Sequence, residues 1–218
     1  MPGFIFDMDG VLLDTIKFWH ESEQRIIDET GVALTKEDRD RLNTLTLEEA
    51  GEFFHKEFGV MESPQHIVDA VIASMLDSYR TKAEPKPGTL AFVQAVYDAG
   101  APMCVLSSSP MSFIQAGLTC GGLRHLFEDD RIISADETGL TKRAPETFDY
   151  VCKMLGTAPG DTWLFDDSWY ALSTAKGFGV RTVGVFSADP CGTHEELAQY
   201  SERVVDNFAE LDAADFLK

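Results

Sequence analysis

Apolar residues along this chain arrive in short unbroken runs that end on polar or acidic positions, the pattern of strands covered on both faces. GFIF at 3–6 is the first run, and PMCVL (102–106), RIIS (131–134), TWLF (162–165) and VRTVGV (180–185) repeat it. Between the later runs the apolar spacing becomes helical: over 88–99 (Leu90, Phe92, Val93, Val96), over 145–155 (Phe148, Val151, Cys152, Leu155) and over 169–177. Pro145 suits a first helical turn, while Gly100, Gly156 and Gly177 follow periodic segments, where helices stop. Alternation of this kind predicts an α/β fold, a Rossmann-like parallel sheet core with helices on both faces and ligands held at the carboxyl ends of the strands.

Residues 15–83 break the alternation, with no convincing strand and with apolar residues such as Ile26, Ile27, Phe53, Phe54, Ile67, Val68, Val71 and Met75 at helical spacing. They predict an inserted helical unit. The expected division is a core of 1–14 and 84–218 around a helical insertion of 15–83, with the proline-rich AEPKPG (83–88) as the return crossing.

Composition narrows the function. The chain has 218 residues and a formal net charge of −19, which opposes nucleic acid as a partner because such binding rests on Lys and Arg against phosphates. No apolar run reaches the length of a membrane helix, and MPGFIFDMDG has no secretory pattern, so a cytoplasmic protein without a membrane partner is expected. The cysteines, Cys104, Cys120, Cys152 and Cys191, form no C-x-x-C pair and read as ordinary thiols of a reducing compartment. Oligomeric state is expected to be monomer or weak homodimer.

Candidate chemistry lies where the apolar runs end. DMDG puts Asp7 and Asp9 on one turn with Gly10. Two such acids repel unless a cation joins them, and their hard oxygens suit magnesium, although an acidic turn that caps a helix would look the same. SSSP puts Ser107 and Ser108 where hydroxyl and main-chain N–H groups could hold a phosphate oxygen, or where a helix starts. TKRAP places Lys142 ahead of a helix, able to neutralise a carboxylate and a phosphate or to sit in solvent, with Arg143 beside it as a competitor. LFDDS gives Asp166 and Asp167, adjacent acids that are uncomfortable without a cation.

D-x-D, Ser, Lys and D-D after four different strands form a constellation that resembles the haloacid dehalogenase-like hydrolase superfamily. The resemblance is to the branch with a helical cap, which contains phosphoglycolate phosphatases and β-phosphoglucomutases. FDMDGVLLDT, VLSSS, KRAP and LFDDS carry it, and KPGTLAFVQAVYDAG resembles the family's re-entry into the core. The resemblance implies a Mg2+-dependent phosphatase acting on a small phosphorylated metabolite, with Asp7 as nucleophile and Asp9 as general acid and then base. It implies that Ser107 and Lys142 hold the phosphoryl group, aided by Gly10 and Ser108. It implies metal ligation by Asp7, the main-chain carbonyl of Asp9 and Asp167, with Asp166 sharing or orienting the shell. A phosphomutase and a non-catalytic binding module are the alternatives, and Asp9 argues against dehalogenation. Asp14 is read as structural. Two departures stand out: Arg143 where relatives have proline, and Trp169–Tyr170, read as packing residues, where relatives have small ones.

Overall fold

The computed structural model describes residues 1–42, 47–60, 63–187 and 192–218. Its sheet has the order β3-β2-β1-β4-β5-β6 with every neighbouring pair parallel. The strands are β1 (Gly3–Phe6), β2 (Met103–Ser107), β3 (Ile132–Ser134), β4 (Thr162–Asp166), β5 (Arg181–Val185) and β6 (Arg203–Val205). Four helices lie in the inserted stretch: α1 (Ile16–Thr30), α2 (Lys36–Leu42), α3 (Leu47–Phe58) and α4 (Pro64–Thr81). The others among the described residues are α5 (Thr89–Asp98), α6 (Met111–Cys120), α7 (Ala135–Thr138), α8 (Pro145–Leu155), α9 (Trp169–Phe178) and α10 (His194–Tyr200). The α/β Rossmann-like core expected from the sequence is thus present, and no described helix is long and apolar enough to cross a membrane.

Both faces of the sheet are covered, which is why GFIF carries no polar alternation. Successive strand residues point to opposite faces. Phe4 and Phe6 stack with an aromatic layer in which Phe6 and Phe165 lie 5.1 Å apart, Phe92 and Phe165 5.4 Å, and Trp163 and Phe216 4.8 Å. Ile5 joins the other layer, with Leu106, Leu164, Phe148, Val151 and Leu172. Each fully buried side chain of this size contributes about 1.5–3 kcal/mol, so these two layers fix the height of every strand end.

Helix ends follow the sequence signals with one correction. Pro145 opens α8, and Gly156, at φ 72, closes it. Gly177, expected past a helix end, lies inside α9, which continues to Phe178 and ends on Gly179 at φ 98. A glycine on an open helix face costs about 1 kcal/mol, which the rest of the helix tolerates, whereas the left-handed terminal position favours glycine.

By contacts the chain separates into two units, Met1–Ile16 with Tyr79–Lys218, and Lys17–Ser78. Within the second unit Phe18, Ile26, Phe53, Phe54, Ile67, Val68, Val71 and Met75 are buried, and Arg41 lies over the Phe53 ring at 4.9 Å. In the first unit the outgoing and returning segments pair. Asp14 N donates to Glu84 O (2.9 Å), Lys86 N donates to Leu12 O (3.0 Å), and Leu13 bridges antiparallel to Pro85. Asp14 accordingly has a main-chain role at this crossing. Gly88 turns the returning chain into α5 at φ 80, and a Cβ there would lie 2.2 Å from Ala209 N, so no other residue fits without moving that backbone.

Candidate active site

Strand β1 sits between β2 and β4, at the point where the strand order reverses, and in open α/β sheets that reversal opens a crevice at the carboxyl ends. Asp7 is the first residue beyond β1. Its N–H donates to Phe165 O (2.9 Å), extending the ladder by one residue and fixing the side chain beside the end of β4. Asp166, the last residue of β4, and Asp167 after it are there already.

Lys142 joins these strands. It comes from the loop between α7 and α8, is 3 % exposed, and places Nζ 2.8 Å from Asp7 Oδ1 and 2.8 Å from Asp166 Oδ2. The other Asp166 oxygen accepts from Ser168 N (2.9 Å) and from the Ser168 hydroxyl, so both oxygens of this fully buried carboxylate are engaged. Asp167 Oδ2 accepts from the Ser187 hydroxyl at 2.8 Å. Asp7, Asp166 and Asp167 each present an oxygen within 4.8 Å of the others, a group able to hold a metal ion.

Three buried carboxylates face one ammonium. Burial pushes the Asp7 carboxyl well above the usual range, Lys142 opposes it, and Asp166 and Asp167 add to it. Burial and the neighbouring Asp166 likewise push Asp167 up to about 7, against the Ser187 hydrogen bond and Lys142. Burial alone would depress the Lys142 ammonium, yet Asp166 and Asp7 carry it above its ordinary value, so it stays charged. A divalent cation would relieve the excess negative charge, and an all-oxygen donor set suits a hard one. Asp7 and Asp167 fit it best, because each has one oxygen without a hydrogen bond among the described residues.

Asp9 is held apart from that cluster. Its Oδ1 accepts from Thr15 Oγ1 and Tyr79 OH, each at 2.5 Å, and its Oδ2 accepts from Ser109 Oγ at 2.6 Å. The metal expectation for Asp9 concerned its main-chain carbonyl, so these side-chain bonds do not compete with it. Tyr79 is fully buried, and burial with the adjacent Asp9 raises its phenol well above the ordinary value, keeping it a donor. None of the three donors was apparent in the sequence. Ser109 belongs to the SSSP cluster, and the helix start expected there is present: α6 opens at Met111 after Pro110, with no side-chain cap. Thr15 follows Asp14 directly, and Tyr79 lies 70 positions along the chain from Asp9.

The remaining expected residues lie around the same strand ends. Ser107 ends β2, is 1 % exposed, and its Oγ accepts from Ser109 N (3.1 Å), while Ser108 is exposed. Gly10 has φ 73, and a Cβ there would fall 2.4 Å from Asp167 Oδ2, so glycine is required for this close approach. Arg143 stacks over the Tyr170 ring at 3.8 Å, so the two departures from the expected motifs pack on each other. Trp169 is exposed yet edges onto Tyr170 at 6.1 Å. The side chains of Trp19 and His20, and Thr46 and Cys191 as a whole, lie outside the described residues.

An acid cluster and a buried lysine lie together at the strand reversal, and the family profile of haloacid dehalogenase-like hydrolases matches residues 4–185. The chain belongs to this family, and it is an enzyme of that hydrolase type. It is 28 % identical over 187 residues to fructose-1-phosphate phosphatase YqaB of Escherichia coli, covering 84 % of this chain and 95 % of that protein. It is 25 % identical over 183 residues to hexitol phosphatase B of the same species, covering 83 % and 82 %. The crystal structure of CbbY from Rhodobacter sphaeroides in complex with phosphate superposes with a TM-score of 0.75 at 22 % identity, covering 97 % of this chain and 96 % of that one. That last likeness concerns the fold.

Proposed function

We propose that this protein is a magnesium-dependent phosphatase of small phosphomonoesters, sugar phosphates first, and that it works through an aspartyl-phosphate on Asp7. The observation that carries the reading is Lys142, which sits buried between Asp7 and Asp166 with Asp167 alongside. The two named relatives act on sugar or sugar-alcohol phosphates, which sets the order of substrates to try.

In the first half-reaction an Asp7 oxygen attacks phosphorus, the bond from phosphorus to the ester oxygen breaks, and Asp9 gives that oxygen a proton. In the second, Asp9 takes a proton from water as the water oxygen attacks phosphorus; the bond to Asp7 breaks and inorganic phosphate leaves. Splitting one difficult displacement in this way is the advantage of covalent catalysis, and one carboxyl serves as acid and then as base. Lys142 offsets charge on Asp7 and on the phosphoryl oxygens, and Ser107 with the main-chain donors of Ser108 and Gly10 orients the group in line. Asp7, Asp167 and the Asp9 carbonyl would hold magnesium, which would add to the neutralisation of the phosphoryl oxygens. Asp166 has both oxygens engaged by Lys142 and Ser168, and its role is to position the lysine.

Asp9 is oriented for this cycle by three hydroxyls that donate to it, from Thr15, Tyr79 and Ser109. Phosphate release from fructose 1-phosphate and from an aryl phosphate, with magnesium or with chelator, tests the whole reading. Magnesium-dependent release by the native chain and none by Asp7→Asn is expected. Release that survives either chelation or the substitution would refute it.

A further inference from the structure

Asp167 is fixed by groups that belong to none of the four motifs. Ser187 lies two residues beyond β5 and donates its hydroxyl to Asp167 Oδ2 at 2.8 Å, while Oδ1 receives no hydrogen bond among the described residues. A carboxylate with one oxygen held can no longer swing about its terminal torsion, and the other oxygen is presented in one direction.

Ser187 is placed in turn by Lys86. This half-buried side chain reaches from the returning segment and donates to Gly10 O (2.9 Å) and to Phe186 O (2.7 Å). It thus ties the loop after β1 to the exit of β5, and Phe186 N, bonded to Val205 O at 2.7 Å, holds the exit from the other side. The fit is close: a Cβ on Gly10 would meet Ser187 Cβ at 3.0 Å as well as Asp167 Oδ2. Lys86 donates to main-chain carbonyls although Asp167, Asp14, Asp206 and Glu210 all lie within its electrostatic reach. Its bonds are those of a fastener between two backbone segments.

We propose that Ser187, presented by the Lys86 clamp, is the positioning residue for Asp167 as a ligand of a divalent cation. The proposal rests on the reading of Asp167 as a metal ligand. Hydrogen bonds that orient metal ligands commonly change affinity by about 10–100-fold when removed, and Ser187→Ala removes this one without altering the ligand set.

The test is magnesium binding to the metal-free full chain by isothermal titration calorimetry, with no substrate present and with thermal unfolding recorded for each variant. We expect Ser187→Ala to bind magnesium at least about 10-fold more weakly, with its unfolding midpoint near the native one, and Ser187→Thr, which keeps the hydroxyl, to recover most of the affinity. Native protein that binds magnesium alongside Ser187→Ala binding it equally well would overturn the role of Ser187 and leave the phosphatase reading intact. A folded native chain that takes up no magnesium would overturn both.

Discussion

Replacing Lys142 by methionine keeps most of the side-chain volume and removes the one ammonium that serves two buried carboxylates. The lysine is 3 % exposed, and its partners Asp7 and Asp166 are 10 % and 0 % exposed. Breaking a buried ion pair from one side typically costs about 3–5 kcal/mol, because the remaining charge is left in a poor solvent. Asp7, whose carboxyl burial already pushes well above the usual range, limits the loss by taking up a proton, so the cost should be largest at alkaline pH and should shrink towards pH 5. For a chain of this size 1 kcal/mol moves the melting midpoint by about 2–4 °C, giving a fall of roughly 6–20 °C at pH 7.5 without metal. Saturating magnesium should return part of it. Lys153→Met is the control: its partner is Asp149 at 2.7 Å, but the side chains are 75 % and 46 % exposed, and pairs of that kind contribute little. Calorimetric melts of the native chain and both variants, with chelator and with magnesium, read the comparison. A Lys142→Met midpoint within about 2 °C of the native one would refute the view that this ammonium compensates two buried charges.

Thr89, at the first position of α5, has a fully buried hydroxyl without a hydrogen-bond partner among the described residues. Thr89→Val removes the desolvated group at nearly constant volume and should raise stability by about 1 kcal/mol in denaturant titration; a loss instead would mean that the hydroxyl is bonded. The raised carboxyl of Asp167 carries a pH signature. Its folded value of about 7 lies above the ordinary carboxylate value near 4, so between them the folded state binds more protons and stability falls as pH rises. The metal-free chain should therefore melt lower at pH 7.5 than at pH 5.5. Asp167→Asn or saturating magnesium should flatten that slope, and an unchanged slope in Asp167→Asn would assign it elsewhere.

The chemistry was legible in the sequence to the extent that it is local. Asp7, Asp166 and Asp167 follow apolar runs directly, and their convergence needs only the rule that parallel strands end on one edge. From its place before Pro145 Lys142 could equally be a solvated lysine, and only the family resemblance singled it out; its distance to Asp7 was not legible. The hydroxyls on Asp9 were hidden because Tyr79 and Ser109 arrive from 70 and 100 positions away, and no local pattern encodes such a meeting. Ser187 and Lys86 were missed for the same reason. Among the elements, β6 escaped because three residues beginning with an exposed arginine carry almost no periodicity. Helix α6 was marked only by the possible start at SSSP, because Gly117 interrupts a weak helical composition; its stripe of Phe113, Ile114, Gly117 and Leu118 becomes visible only against the core. Gly117 is itself explained there, since a Cβ would come within 3.0 Å of Leu13 and 3.1 Å of Tyr79.

The pairing of the outgoing chain near Leu13 with the returning chain near Pro85 has a consequence for inheritance. To the sheet, everything between those points is one long hairpin loop whose two ends are already fastened. Closing such a loop costs entropy only as the logarithm of its length, about 0.6 kcal/mol for each doubling. Residues 17–78 could therefore lengthen, shrink or be rewritten over generations at a cost below that of losing Lys142. A chain wired in this way can keep one hydrolytic apparatus while its inserted helices change at their own pace.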